Sequence, residues 1–219
     1  SLKAVLRDAE FRFCMAVMSG IVVTDCTYLY FSDKFPLWES VYHGFFQTAS
    51  IITDNAFVTT GYPADWPTFV SLLLLLGSFF GGCVGSTCGG IKAIRFLLLY
   101  KQSVREARLL IRPSAQIAVK LGNHPIPDRV MQAVWGFYYL YIFSYCFFSL
   151  ALAATGVDLV TAFGSVAGCL NNMGIGLGET ASNFAPLNDT ATWLLTLSML
   201  VGRLEVFPLL LIFLPDFWK

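Results

Sequence analysis

Residues 48–62, with the sequence TASIITDNAFVTTGY, decide the fold because an apolar run stops there at a polar turn that contains Gly61. A similar change occurs in SVAGCLNNMGIGLG at residues 165–178. Glycine lowers helix stability by about 1 kcal/mol relative to alanine at each interior position, so both helices are expected to end before these loops. About 13 helical residues reach roughly 20 Å, which is only part of a membrane's thickness. We therefore predict two half-helices, 36–53 and 159–171, that enter a membrane and return as extended loops.

The composition of the 219-residue chain predicts that lipid is its solvent. Hydrophobic residues make up 56% of the chain and charged residues only 13%, whereas an ordinary globular protein has about 25% charged residues. The 14 basic and 14 acidic side chains cancel, which excludes a nucleic-acid-binding protein that relies on bulk positive charge, and the apolar content excludes a disordered chain. The cysteines lie singly in apolar stretches, so we predict buried free thiols rather than a disulfide scaffold. They are Cys14, Cys26, Cys83, Cys88, Cys146 and Cys169.

Four segments are long enough to cross the membrane, which takes about 20 mainly apolar residues. Two of them carry no charge, one carries only Asp25, and the last holds Arg203 and Glu205 in its interior. Each pair of spans flanks one half-helix and its loop, so the order span, half-helix, loop, span occurs twice. The four predicted spans are 13–32, 67–91, 130–157 and 190–214.

The charges predict how the chain is oriented. Residues 92–129 hold eight of the 14 basic residues, and the positive-inside rule makes this connection cytoplasmic. The loops after both half-helices contain acidic but no basic residues, so we place them outside and both termini of the segment inside. Asp54 and Asp65 are expected near the mouth of the first loop, where they would raise the local cation concentration. The acidic residues placed outside in the first unit are Asp33, Glu39, Asp54 and Asp65.

The two loops are predicted to hold a cation through backbone carbonyl oxygens. Irregular backbone at membrane depth is tolerated only where it lines a water-filled cavity, and rings of carbonyl oxygens can replace the hydration shell of an alkali cation. Gly61 and Gly174 can adopt positive φ, and both half-helices direct the negative ends of their dipoles at the loops. The candidate ligands of this cation are the carbonyls of Thr59, Thr60, Asn172 and Met173. The whole candidate filter is Val58, Thr59, Thr60, Gly61, Tyr62, Asn172, Met173, Gly174 and Ile175.

Four motifs follow one another along the chain: VTTGY at 58–62, GGCVGSTCGGIK at 81–92, NNMGIGLGE at 171–179 and MLVGRLEVFPLL at 199–210. Together they resemble the TrkH family of Trk potassium-uptake membrane subunits, which shares a superfamily with the Ktr and HKT transporters. The resemblance implies an all-α integral membrane fold in which four span, pore-helix, span repeats with re-entrant filter loops surround one pore. This chain matches the third and fourth repeats, so we expect it to need the remaining two repeats of a longer chain to conduct.

The second predicted span contains five glycines within ten residues, which allows two interpretations. Gly81, Gly85 and Gly89 have the spacing of a GxxxG helix-packing motif. A continuous helix gains nothing from Gly82 or Gly90, which favours an interrupted helix whose irregular middle faces the pore. The resemblance implies that this segment is a gate within the membrane. The candidate gate residues are Gly81, Gly82, Gly85, Ser86, Thr87, Gly89 and Gly90.

Arg203 lies about midway along the last predicted span, where an unpaired charge costs several kcal/mol. One interpretation is an ion pair with a buried acid, although Glu205 is a poor partner because residues two apart on a helix point in different directions. The other is a positive charge that faces the ion pathway and raises a barrier to cations, which is also what the resemblance implies. Asp25 is interpreted as a polar residue at the outer end of its span.

The chain divides into a first repeat with a broken second span at 1–100, a cytoplasmic basic connector at 101–126 and a second repeat at 127–219. The connector fits either contact with anionic lipid or docking of a soluble regulator. The resemblance favours a regulator, because family members form homodimers in the bacterial inner membrane on a cytoplasmic ring of nucleotide-binding subunits of the TrkA type. No cofactor and no nucleic-acid partner are expected.

Two functions stay open on the sequence. The first is K⁺ uptake through a carbonyl-lined filter that a gate controls, with the bilayer and K⁺ as partners. The alternative is a symporter that couples K⁺ entry to H⁺ or Na⁺. An enzyme is not expected, because His43 and His124 have neither a carboxylate pair nor metal-ligand spacing near them.

Overall fold

The computed structural model describes residues 6–59, 61–112, 117–122, 124–205, 208 and 218. This part of the chain is mostly helical, with one short antiparallel ladder that joins β1 (Lys120–Leu121) to β2 (His124–Pro125). A 3₁₀ turn, Gly178–Thr180, precedes the α-helix Asp189–Arg203. The α-helices are α1 Ala9–Phe31, α2 Leu37–Ile52, α3 Thr68–Ser78, α4 Ala93–Ile111, α5 Asp128–Ala153, α6 Leu159–Leu170 and α7 Asp189–Arg203.

Capping side chains and prolines determine where these helices begin. The Asp8 carboxylate accepts a hydrogen bond from the Phe11 amide, and the Asn188 side chain accepts one from the Ala191 amide. Each bond satisfies an N–H group that the first helical turn leaves free. Three other helices follow a proline, whose fixed φ suits the start of a helix. These prolines are Pro36 before α2, Pro67 before α3 and Pro127 before α5.

Two of the described helices are long and apolar enough to cross a membrane, α1 with 23 residues and α5 with 26. Helix α3 has only 11 residues, so the second predicted span is divided. Helix α7 covers the first part of the fourth predicted span, and residues 206, 207 and 209–214 of that span lie outside the described residues. Large apolar side chains point outward from α5, which fits a surface that faces lipid. They include Trp135, Tyr139, Phe143, Phe147 and Leu150.

The glycine-rich segment interrupts the helical path between α3 and α4. Its two ends are held together, because the Ile91 amide donates to the Phe79 carbonyl at 3.0 Å and the Ala93 amide donates to the Gly82 carbonyl at 3.2 Å. The GxxxG alternative is wrong, since residues 81–91 are not helical and a glycine such as Gly81 has a φ of +57°. Helix α4 then continues to Ile111, so the basic connector begins inside a helix.

The helices pack in two groups that share one core. Helix α2 packs against α1 and α3, while α6 packs against α5 and α7. A buried apolar cluster contains Ile51 of α2, Leu74 of α3 and Ala167 of α6. The same cluster includes Tyr62 and Met173 from the two candidate filter loops. The loops therefore belong to one packed body.

The expectation that all six cysteines are buried is wrong, although all six are free thiols. Only Cys169 is buried, and Cys146 is exposed. Cys146 lies with Tyr139 and Ile142 along an apolar groove on the outer side of α5. An apolar stretch of sequence does not bury a thiol inside the protein when the stretch faces outward.

Candidate functional site

The first candidate filter loop is anchored by a side chain of the half-helix that precedes it. The Thr59 amide and hydroxyl both donate to Gln47 Oε1, at 3.1 and 3.4 Å. Beyond Thr59 the chain turns at Gly61, which has a φ of +68° and whose carbonyl accepts from the Asp65 amide at 2.8 Å. Thr60, the second predicted ligand of this loop, lies outside the described residues.

Gln47 and Asp25 form a buried polar layer behind this loop that the sequence analysis missed. The Thr48 hydroxyl donates to Asp25 Oδ2 at 2.7 Å, and all three side chains have no exposed surface. Asp25 is therefore more than a polar residue at the end of its span, because α2 packs over it and Thr48 binds its carboxylate. The one available signal was the Gln47–Thr48 pair, two polar residues together within the otherwise apolar end of a predicted half-helix.

The second candidate loop folds back on the last turn of α6. The Gly174 amide donates to the Gly168 carbonyl at 2.9 Å, and a Cβ atom at Gly168 would collide with the Ile175 carbonyl. Gly174 has a φ of +79° and Asn172 one of +59°. The side chains of Met173 and Ile175 are buried in the shared core. These buried side chains fix the loop against the shared core.

A buried hydrogen-bond network fixes the start of the second loop. The Tyr141 hydroxyl of α5 donates to Asn171 Oδ1, and Asn171 Nδ2 donates to Ser78 Oγ at 2.6 Å. Asn171 and Ser78 are fully buried. Because Ser78 is the last residue of α3 and Asn171 caps α6, the network ties the second loop to the point where the glycine-rich segment begins.

The glycine-rich segment contacts the ends of both half-helices. The Cys88 thiol donates to the carbonyl of Thr53, the C-cap of α2, at 3.3 Å. Gly89 lies so close to the carbonyl of Asn171, the C-cap of α6, that a Cβ atom at Gly89 would collide with it. A larger residue than glycine at this position would have to displace one of the two backbones.

Arg203 also reaches this segment. Its guanidinium group donates to the Thr87 carbonyl. Arg203 and residues 86–90 border a polar cavity of about 220 Å³. The structure thus brings the predicted barrier residue and the predicted gate residues together.

Glu205 has a different set of partners. Its carboxylate lies 3.2 Å from Lys92 Nζ and 2.7 Å from Arg95 Nη2, and Arg95 also donates to the Ile91 carbonyl at 3.1 Å. The Arg95 guanidinium lies 3.8 Å above the ring of Phe137. Glu205 therefore connects the end of α7 to the start of α4 and does not neutralise Arg203.

The placement of Asp54 at the outer mouth is wrong. Asp54 follows the C-terminal end of α2, with a φ of +54°, and the preceding Thr53 carbonyl accepts from the Cys88 thiol of the glycine-rich segment. Both carboxylate oxygens of Asp54 are buried without a hydrogen-bond partner among the described residues. A half-helix carries the residue after its last turn to the deepest point that it reaches, so this carboxylate lies beside the glycine-rich segment. Asp65, in contrast, stays with the turn that follows Gly61.

The described side chains offer no conventional metal centre. No three His, Cys, Asp or Glu residues among them are grouped in a way that could hold a metal ion.

A family model, sequence relatives and a solved structure all match this chain. Residues 14–219 match the family model of TrkH, described as a cation transport protein. The chain is 44% identical over 219 residues to the Trk system potassium uptake protein TrkG of Escherichia coli and 46% identical over 220 residues to TrkH of Salmonella typhimurium, in each case covering 100% of this chain and 45% of the relative. The crystal structure of the potassium transporter TrkH from Vibrio parahaemolyticus superposes with a TM-score of 0.92 at 44% identity, over 99% of this chain and 46% of that one.

These coverages mean that the chain spans a little under half the length of the relatives that it matches. The match confirms the family that the four motifs indicated, and the family is one of transport proteins rather than enzymes. The names of the relatives describe potassium uptake by those proteins.

Proposed function

Because the chain belongs to the TrkH family of cation transport proteins, we propose that it supplies the third and fourth repeats of a four-repeat pore for K⁺ uptake. In this proposal the backbone carbonyls of Thr59, Thr60, Asn172 and Met173 hold a dehydrated K⁺ ion. Two loops provide only half of the ligands, so conduction needs the other two repeats. The element order supports the repeats: a long helix, a shorter helix and an irregular segment occur in α1–α2 and again in α5–α6.

The main support for this proposal is that side chains of the protein fix the position of both loops. Gln47 binds the Thr59 amide and hydroxyl, while the buried Met173 and Ile175 side chains anchor the second loop. Glycines with positive φ, Gly61 and Gly174, stand at matching places in both loops. Such anchoring preorganises carbonyl oxygens and leaves no charged side chain to compete for the ion.

We further propose that residues 81–90 form the gate and that Arg203 provides the barrier. The segment contacts the ends of both half-helices, and Arg203 donates to its Thr87 carbonyl. A positive charge at this place repels a cation that leaves the filter. When the segment moves, the hydrogen bond between Arg203 and the Thr87 carbonyl has to break. The movement opens the ion pathway and shifts the positive charge of Arg203 away from it.

The proposed assembly follows the family. The chain lies in the bacterial inner membrane with both termini of this segment and the basic connector on the cytoplasmic side, as the positive-inside rule predicts. The complete protein forms a homodimer, and a cytoplasmic nucleotide-binding ring of the TrkA type acts on it. The charges of the connector and the helix α4 that links it to the gate segment support a regulator on that side.

Electrical recording from the complete transporter in a planar bilayer tests this function. We expect currents whose reversal potential follows the K⁺ gradient alone, because carbonyl ligands select the ion by its dehydration and require no second substrate. The measurement compares the reversal potential at two K⁺ gradients, with the H⁺ and Na⁺ gradients changed independently.

A shift of the reversal potential with the H⁺ or Na⁺ gradient at constant K⁺ would contradict the pore and favour the symporter. Absence of any K⁺ current or flux from a correctly folded, complete protein would contradict both. Membranes without protein give the background leak.

Replacing Gln47 with leucine is expected to lower the K⁺/Na⁺ permeability ratio about threefold to tenfold. The leucine keeps the bulk of the side chain and removes the acceptor for Thr59, and one hydrogen bond contributes about 0.5–1.5 kcal/mol to a fixed geometry. Bi-ionic reversal potentials of the complete transporter measure the ratio.

Two control variants make this result specific to the contact. Gln47→Glu keeps an acceptor for Thr59 and is expected to retain more of the selectivity than Gln47→Leu. Gln132→Leu makes the same chemical change at an exposed position of α5 and is expected to leave the ratio unchanged. Equal permeability ratios in Gln47→Leu and the unmodified protein would show that Gln47 does not position the filter.

A further inference from the structure

A basic pocket lies between the second half of α4 and the chain that leads into β1, away from the candidate filter and gate. Its volume is about 300 Å³. Four of the described side chains that line it are cationic and none is acidic. The cationic lining residues are Lys101, Arg105, Arg108 and Lys120.

Most of this charge has no neutralising partner in the described part of the chain. Arg105 makes the one ion pair, a long contact of 3.4 Å with Asp128, whose side chain is 79% exposed. Lys101 Nζ donates to a backbone group, the Lys120 carbonyl, at 2.6 Å. Arg105 Nε is buried and has no hydrogen-bond partner among the described residues. A buried guanidinium N–H without an acceptor is costly, which points to an anion that completes the site.

The surroundings favour an anion attached to an apolar body. Leu110 and Ile111, at the end of the same helix, are 84% and 79% exposed, and Tyr100 on the pocket wall is 63% exposed. Exposed leucine and isoleucine beside arginines are typical of the boundary between lipid headgroups and acyl chains. A protein partner with a flat surface would leave a concave pocket of this size unfilled, whereas a single phosphate group fits into the pocket.

We propose that this pocket binds the phosphate group of an anionic phospholipid. The Arg105 and Arg108 guanidinium groups and Lys101 surround the phosphate, and the acyl chains lie along the exposed apolar residues at the end of α4. This site is independent of the ion filter, because none of its lining residues belongs to the candidate filter or gate.

Native mass spectrometry of the complete transporter, with dioleoylphosphatidylglycerol or dioleoylphosphatidylcholine added to the detergent, tests the proposal. We expect retention of phosphatidylglycerol in preference to phosphatidylcholine and a loss of at least about fivefold in Arg105→Gln/Arg108→Gln, since charged hydrogen bonds to phosphate are the strong ones. Arg129→Gln removes an exposed positive charge from the same connection outside the pocket, and this control is expected to retain the lipid. If the double variant does not fold, Arg108→Gln alone provides the test, because it changes an exposed side chain. We expect this variant to lose less lipid binding than the double variant.

Three results would overturn the proposal. Equal losses in Arg129→Gln and the pocket variants would show a general effect of charge. Displacement of the lipid by an equimolar amount of inorganic phosphate would identify free phosphate as the ligand. Unchanged lipid retention in the pocket variants, together with lost binding of a cytoplasmic regulatory subunit, would assign the pocket to protein docking.

Discussion

Replacing Arg203 with alanine in the complete transporter is expected to raise the basal K⁺ flux on the order of tenfold. A unit charge about 8 Å from a passing cation repels it by about 2 kcal/mol at an effective dielectric constant of about 20, and water in the pathway screens part of that repulsion. About 1.4 kcal/mol corresponds to a tenfold change in rate. Flux of ⁸⁶Rb⁺ into proteoliposomes, measured without a regulatory partner, gives the basal rate.

Two further variants separate the charge of Arg203 from its bond to the gate segment. Arg203→Lys keeps the positive charge and replaces the guanidinium that donates to the Thr87 carbonyl, so we expect a flux close to that of the unmodified protein. Arg203→Gln keeps an N–H donor without the charge, and we expect a flux close to that of Arg203→Ala. High flux in Arg203→Lys and normal flux in Arg203→Gln would show that the residue acts as a tether and not as a barrier.

Glu205 does not neutralise the charge of Arg203, the residue that we propose as the barrier. Glu205 is held instead by Lys92 and Arg95, at 3.2 and 2.7 Å. These two partners follow the gate segment directly, at the start of α4. The end of α7 is therefore joined to the segment itself, through Arg203 at Thr87, and to the start of the helix that follows it, through Glu205 at Lys92 and Arg95.

The location of both loops and of the interruption could be predicted from the sequence, because glycine content and apolar length act locally. Gly61 and Gly174 stand out where apolar runs end, and five glycines cannot favour a continuous helix between residues 81 and 90. Local signals do not reveal what holds a loop in place. The Gln47–Thr59 and Asp25–Thr48 contacts join residues 12 and 23 positions apart, which no hydropathy or spacing rule detects.

Asp54 shows where counting charges fails. It shares a loop with Asp65, and charge counting assigns both residues to the same aqueous side. The loop begins at the deep end of a half-helix, however, so its first residue lies beside the glycine-rich segment, whereas the Asp65 amide donates to the Gly61 carbonyl. Sequence patterns give the side of the membrane for a whole loop, and only the packing of the half-helix gives the depth of each residue.

Replacing Gly174 with valine is expected to reduce the K⁺/Na⁺ permeability ratio of the complete transporter about tenfold. No atom lies within 4 Å of the position that a Cβ would occupy, so the effect comes from the backbone alone. A φ of +79° costs an L-residue about 1–2 kcal/mol, and the chain can relieve that strain only by rotating the carbonyls that we propose as K⁺ ligands. Gly61→Val adds a collision with the Asp65 side chain and is expected to lower the ratio further.

Gly156 provides a matched control for this prediction. It has a φ of +91° and equally open surroundings, but it lies in the turn between α5 and α6, away from both loops. Gly156→Val should therefore destabilise the protein as much as Gly174→Val and leave the permeability ratio unchanged. Gly20→Ala, in open space within α1 and without positive φ, should stabilise the helix by about 1 kcal/mol and leave the permeability ratio unchanged. Equal loss of selectivity in Gly156→Val and Gly174→Val would contradict the prediction. The K⁺/Na⁺ permeability ratio would then depend on the stability of the whole fold and not on the geometry of the loop carbonyls.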